Sequence, residues 1–279
     1  MKSSLMQLLV HFDASRRATP RVEFARRLAR RHGAAVAALY AVTPSFAMPP
    51  FAPTLGPGTA VSLREVDDER LDRARTTFDR ALASTGVPVS WGELTDYPVA
   101  GAFAQQAFYA DLLVLGQHDP SDIESSDVPP DFAETVMAIS GRPALILPYA
   151  VVPPTVGETV VIGWKPTREA AHAVTAAMPL LQSAQRVHVV SWSADEPVVG
   201  GAALDLAGYL KRYGVEATWH RQGDEPDGLG ELLLSRAFDL TADLLVMGCY
   251  GHSRAREWLL GGTSREVLQS MTLPVLMAH

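Results

Sequence analysis

Short apolar runs recur along the chain, separated by longer stretches in which apolar residues return every three or four positions. The short runs predict strands over 5–12, 36–42, 88–93, 111–116 and 143–148, and again over 159–164, 186–192, 215–220, 243–248 and 274–278. The amphipathic stretches predict helices over 19–31, 63–84, 98–109 and 131–139, with further helices between the strands of the second set. Runs such as 112–115 (LLVL) and 244–247 (LLVM) are apolar on both faces. A parallel strand needs this when helices cover both sides of its sheet. Strands alternating with helices imply right-handed crossovers and a doubly wound sheet. Ligands of such sheets sit beyond the carboxyl ends of the strands, so the loops after the first and fourth strands are where chemistry is expected.

The pattern occurs twice. Residues 110–116 read ADLLVLG and residues 242–248 read ADLLVMG. Each is followed by a Pro-led apolar piece, at Pro143 and at Pro274, and the starts match as LLVHFDASRRA (8–18) and VVIGWKPTREA (160–170). The fold class is therefore α/β, with two Rossmann-like doubly wound modules, each a five-stranded, mostly parallel sheet flanked by helices. The expected boundaries are 1–148 for the first module, 149–158 for a proline-containing linker and 159–279 for the second.

Composition narrows the class further. The 279 residues are 47% apolar and 20% charged, which excludes a disordered chain, a collagen or a coiled coil. No apolar run approaches the roughly 18 residues of a membrane helix. The N-terminus reaches Asp13 without a cleavage site and reads as a first strand, so neither secretion nor membrane is expected. The single cysteine, Cys249, excludes an intrachain disulfide and makes the cytoplasm the expected compartment. A net charge of −7 argues against nucleic acid as a partner.

The loop after the fourth strand of the second module carries Gly248, Gly251, Gly261 and Gly262, then Thr263 and Ser264. Glycine permits close approach of backbone amides to a ligand. Thr263 precedes Glu266 by three, a capping-box spacing that opens a helix. The first turn of that helix would present N–H groups suited to phosphate, with hydroxyls from Ser253, Thr263 and Ser264 and a donor from His252 or Arg254. On spacing alone, the same residues also serve as plain chain turns and a helix cap.

The spacing Gly-x2-Gly-x9-Gly at Gly248, Gly251 and Gly261 resembles the nucleotide loop of universal stress proteins of the UspA family. The preceding ADLLVMG and the Pro-containing last strand match too, and the resemblance covers nearly the whole chain as two tandem copies. It implies a cytoplasmic stress-response protein, regulatory or protective, with ATP or a related adenine nucleotide as ligand. It further implies that an Asp after the first strand and a backbone group at the end of the second strand hold the nucleoside. The first module has Asp13 and Ala41 at those places, but its loop is acidic, with Asp119, Asp122, Glu124, Asp127 and Asp131. The second has the glycines, but carries Lys165 in place of the acid, Ser191 at the second-strand position and Gly262 where a hydroxyl residue is expected. The nucleotide is therefore expected in the second module. Lys165 either contacts a phosphate or another acidic ligand, or marks a site that no longer binds. The resemblance also implies a protein partner and an internal pseudo-dimer of the two modules through strands 143–148 and 274–278, and leaves a homodimer open.

Other chemistry finds little support. There is no GxxxxGK[ST], HExxH, CxxC or GxSxG, and the histidines are scattered, with His188 read as a structural strand residue. No metal site is expected, and any ATP hydrolysis should be slow, because no general base is poised beside a nucleophile. An interaction module with vestigial sites is the main alternative, and a small hydrolase or transferase acting on a phosphorylated metabolite beside Lys165 is a lesser one. The arginines between Arg16 and Arg31 read as a solvated helix face, and the Pro- and Gly-rich stretch 44–58 as a lid or contact loop.

Overall fold

A computed structural model describes residues 4–47, 57–94, 96–192, 204–223, 227–249 and 262–279. The chain divides into two compact units, 5–152 and, from Pro153 onward, 153–279.

The first unit runs β1 (Gln7–Phe12), α1 (Ala18–His32), β2 (Ala35–Tyr40), α2 (Pro57–Leu82), β3 (Val89–Glu93), α3 (Val99–Ala107), β4 (Leu112–Gly116), α4 (Phe132–Ser140) and β5 (Ala144–Leu147). Its strands are parallel in the order β3-β2-β1-β4-β5. The second runs β6 (Thr159–Trp164), α5 (Arg168–Leu181), β7 (Arg186–Ser191), α6 (Leu206–Arg212), β8 (Thr218–Arg221), α7 (Leu229–Asp239), β9 (Leu244–Gly248), α8 (Thr263–Ser270) and β10 (Val275–Ala278). Its order, β8-β7-β6-β9-β10, is again parallel and repeats the first. Both units are thus the doubly wound α/β modules that the hydrophobic pattern predicts.

The doubly apolar runs form the centre of each sheet. Leu112–Leu115, Leu145–Leu147, Val160–Ile162 and Leu244–Val246 are all buried. Burial of such side chains contributes about 1.5–3 kcal/mol each, which is why these short runs fix the sheets. The aspartate of each ADLL repeat has a separate job. Asp111 Oδ2 accepts from the backbone N–H groups of Met6 (2.8 Å) and Gln7 (2.9 Å). Asp243 accepts from Glu158 (3.0 Å) and Thr159 (2.9 Å). Each carboxylate ties the start of the fourth strand to the start of the first.

Three sequence expectations need correction. Residues 215–217 are not strand, because Val215 N donates to Leu210 O and Gly214 takes φ 75°, so this segment closes α6 instead. The stretch 44–58 is not loop throughout. Ser45–Ala47 form a 3-10 turn held by Asp67, which accepts from Ser45 N and, at 2.6 Å, from Ser45 Oγ, and α2 begins at Pro57. The first helix is not a uniformly solvated arginine face. Arg26 is buried and donates to the carbonyls of Ala81, Ser84 and Val87, closing the turn after α2. Arg21 is buried as well, in the arrangement described next.

Candidate functional site

In a parallel sheet, every strand delivers its last residue to one edge. At that edge of the first module stand Asp13, directly after β1, and Ala41, directly after β2, with Phe12 in register with Tyr40. His11, Asp13 and Arg21 are buried together. Arg21 Nη2 lies 3.2 Å from Asp13 Oδ2, and Arg21 Nη1 donates to His11 Nδ1 at 2.8 Å. His11 Nε2 then donates to the Ala41 carbonyl at 2.8 Å. Arginine only donates and a carbonyl only accepts, so this arrangement fixes the Nε2–H tautomer of neutral His11. Burial lowers the His11 pKa to about 4; Asp13 opposes this and Arg21 reinforces it. Burial pushes the Asp13 carboxyl up, but Arg21, His11 and two hydrogen bonds from Ser15 together hold it below the usual carboxylate range. Asp13 and Ala41, the nucleoside contacts expected from sequence, are thus both engaged within the module.

The acidic loop after β4 is similarly self-contained. Asp119 Oδ1 accepts from Ser121 N (2.9 Å) and Ser121 Oγ (2.6 Å), and Asp122 Oδ1 from Glu124 N (3.2 Å). The Arg16 side chain reaches both, at 3.8 Å from Asp119 and 3.4 Å from Asp122. Hydrogen bonding from Ser121, more than Arg16, holds Asp119 below the usual range. Asp127 differs: burial raises its pKa to about 6, with Asp13 adding repulsion. A cleft of about 420 Å³ opens here, lined among others by Asp13, Ser15, Arg70, Arg73, Thr77 and Asp127.

The corresponding edge of the second module has different chemistry. Trp164 pairs in register with Ser191, Gly163 with Met247 and Gly248 with Ala278. Lys165, Ser191 and Gly248 therefore share this edge. Lys165 is exposed, and its carbonyl accepts from Thr167 N at 2.7 Å in the turn that leads into α5. By the repeat alignment, His11, Asp13 and Arg21 of the first module become Gly163, Lys165 and Ala173, so the whole buried charged group is exchanged at once. A Cβ on Gly163 would fall 2.7 Å from Leu233 Cδ2. An apolar side chain stands where the first module has its network.

Gly248 has a packing role at this edge, and the capping box expected at Thr263 and Glu266 does not form. A Cβ on Gly248 would lie 2.5 Å from Ala170 N and 2.6 Å from Glu169 C, so this glycine lets the end of β9 press on the first turn of α5. The helix that follows the loop is N-capped by Gly262 with no side-chain bond, and Thr263 is its first residue. Glu266 does not close a capping box. Its Oε2 accepts from Gly230 N at 3.0 Å, joining α8 to the start of α7. Ser264 is buried in the first turn of α8. Gly251, His252, Ser253 and Gly261 lie outside the described residues.

The model of the universal stress protein family matches residues 157–279. The second module belongs to the universal stress protein family. Among solved structures, a universal stress protein from Archaeoglobus fulgidus is similar over 98% of this chain and 95% of its own, at 16% identity and TM-score 0.70. A protein of unknown function from Pseudomonas aeruginosa is similar over 98% and 92%, at 13% identity and TM-score 0.55. A universal stress protein in complex with cAMP aligns with 44% of this chain and 97% of its own, at 23% identity and TM-score 0.33. No match was found among curated proteins. The likeness to the first two structures concerns the fold, and it spans both modules.

Within the universal stress protein module, the structure brings Lys165, Ser191 and Gly248 to one edge. The crossover from β9 to β10 sets the start of α8, with Gly262, Thr263 and Ser264, at that same end. Sequence reading missed the His11–Asp13–Arg21 network. The available signal was His11 and Asp13 two apart where the first strand ends, a spacing that favours one face. Among the described residues, no group of three or more His, Cys, Asp or Glu is placed to hold a metal ion, and no helix is long and apolar enough to cross a membrane.

Proposed function

We propose that the chain is a tandem stress-response protein of the cytoplasm that binds an adenine nucleotide, ATP or a relative, in its second module. One observation carries this reading: the family model matches 157–279, the half that holds the glycine loop. In this reading Gly248, Gly251, Gly261 and Gly262 let the backbone approach the phosphates, and the first turn of α8 presents N–H groups at Thr263 and Ser264. His252 and Ser253 complete the phosphate contacts, and Ser191 lies toward the nucleoside. Lys165 supplies a positive charge where the family resemblance implies an acid, which shifts recognition toward the phosphates. The role is regulatory or protective, with nucleotide state passed to a protein partner.

A second reading concerns the first module. Its Asp13 and Ala41 are spent on Arg21 and His11. That favours a structural or partner-binding half with a vestigial nucleotide site. Mass spectrometry of the purified protein, followed by titration with ATP, ADP and AMP, tests both readings. A co-purified nucleotide whose affinity falls in Lys165→Ala supports the second-module site. A chain that binds none of the three supports an interaction module with two vestigial sites.

A further inference from the structure

We propose that the first module binds a small organic cation, a primary ammonium or amidinium compound, in the cleft beside Asp127. This goes beyond the nucleotide reading, which concerns the other module.

One buried carboxylate of the cleft, Asp127, makes no ion pair among the described residues. Asp127 lines it and is 3% exposed, yet its Oδ1 has no hydrogen-bond partner. The buried Tyr40 hydroxyl also lacks a partner, and it lies close enough that Asp127 helps to raise its pKa, after burial itself. A buried polar atom left without a partner costs about 1–3 kcal/mol, so the unpaired Asp127 Oδ1 is a costly arrangement.

The neighbouring cations are already committed. Arg21 is paired with Asp13. Arg16 meets Asp119 and Asp122. Arg70 faces Asp67 at 3.7 Å and donates to Ser45 Oγ at 3.1 Å, and Arg73 faces Glu69 at 3.8 Å. Asp127 makes no ion pair among the described residues. The titratable groups around it are Asp13, Asp67, Arg70 and Tyr40. Burial and the Asp13 charge disfavour ionised Asp127, Arg70 favours it, and the net effect leaves its pKa raised.

A ligand that repairs this must bring positive charge and N–H donors together. An ammonium or amidinium nitrogen does both, donating to the Asp127 carboxylate. The wall offers further hydroxyls at Ser15, Thr77 and Ser126. A cleft of about 420 Å³ lies toward the small end of ligand sites, which run from roughly 300 to 1,000 Å³. An anion fits poorly, since Asp13, Glu124 and Asp127 line the cleft while its Arg16, Arg70 and Arg73 already face Asp119, Asp122, Asp67 and Glu69. Binding also displaces a proton. Asp127, at a pKa of about 6, is part protonated in mild acid and must ionise to hold the cation.

The test is calorimetric titration of the intact protein with putrescine and with agmatine. Saturable binding of at least one is expected, about fourfold tighter near pH 7.5 than near pH 5.5, because ionised Asp127 is the binding form. Asp127→Asn should weaken it at least tenfold, about one decade of Kd. Thr77→Arg keeps Asp127 but fills the cleft from an exposed position on α2, and should abolish binding without lowering the melting temperature. No saturable heat up to about 10 mM of either compound would overturn the proposal, since that leaves less than about 3 kcal/mol of binding energy. So would binding by Thr77→Arg equal to the parent's, equal affinity at both pH values, or displacement of the bound cation by ATP.

Discussion

The Arg21 guanidinium lies 3.2 Å from the Asp13 carboxylate, and both side chains are about 95% removed from water. An ion pair this deep is held by what surrounds it. His11 accepts from Arg21 and Ser15 donates to Asp13, so neither charge relies on its partner alone. Removing one member leaves the other buried and uncompensated. Arg21→Met should therefore destabilise the first module by about 3–5 kcal/mol, measured by urea unfolding. A loss below about 1 kcal/mol would mean that the pair is solvated in solution.

The pH dependence of stability should show two opposing contributions. His11 is neutral in the folded state down to a pKa of about 4, against 6.5 when unfolded. The unfolded chain thus binds more protons between these values, and His11 costs stability as pH falls, about 3 kcal/mol over the window. Asp127 has its folded pKa raised to about 6 from 3.8. Here the folded chain binds more protons, so stability is present in acid and is lost as pH rises toward 6. Asp127 offsets part of the His11 slope between about pH 4 and 6, while His32 and His188, whose pKa values burial also lowers, act in the same direction as His11. Asp127→Asn removes one contribution and should expose the His11 slope, with stability falling steadily on acidification. An unchanged profile in that variant would contradict the assignment.

The repeated aspartates offer an internal control. Asp111→Ala and Asp243→Ala each delete a carboxylate that accepts two backbone N–H groups. Each should cost about 1–3 kcal/mol, and the two losses should be similar because the geometry repeats. Unfolding of the single and double variants checks both size and additivity.

Gly248 and Gly116 are equivalent in the repeat but not in their surroundings. A Cβ at Gly248 meets the α5 backbone at 2.5 Å, whereas one at Gly116 meets the Arg21 guanidinium at 3.1 Å. Backbone cannot step aside as a side chain can. Gly248→Ala should destabilise by about 1–3 kcal/mol and Gly116→Ala by less, read from thermal melts.

The legible part of the fold was the part that water dictates. The run 159–164 was found to the residue, because both its faces are apolar and its ends meet a carboxyl-bearing and a cationic residue. The error at 215–217 arose because Val215 is buried and β-branched, yet its N–H is drawn into the end of α6. Periodicity carries no information about such local competition. Glu266 was misassigned for a related reason. Its spacing from Thr263 fits a cap, but the Gly230 N–H, distant in sequence, takes the carboxylate. Arg21 was hidden because a buried arginine reads as a surface charge until its partners are known.

The central claim is that the loop leading into α8 binds the phosphates of an adenine nucleotide. Calorimetric titration of ATP into the parent and into Gly261→Asp tests it most directly, with thermal melts to establish that the variant is folded. A carboxylate at that position should weaken ATP at least tenfold, or about 1.4 kcal/mol, while Asp127→Asn in the other module leaves the affinity unchanged. A folded Gly261→Asp protein that binds ATP as tightly as the parent would contradict the claim and make the glycine loop a structural turn.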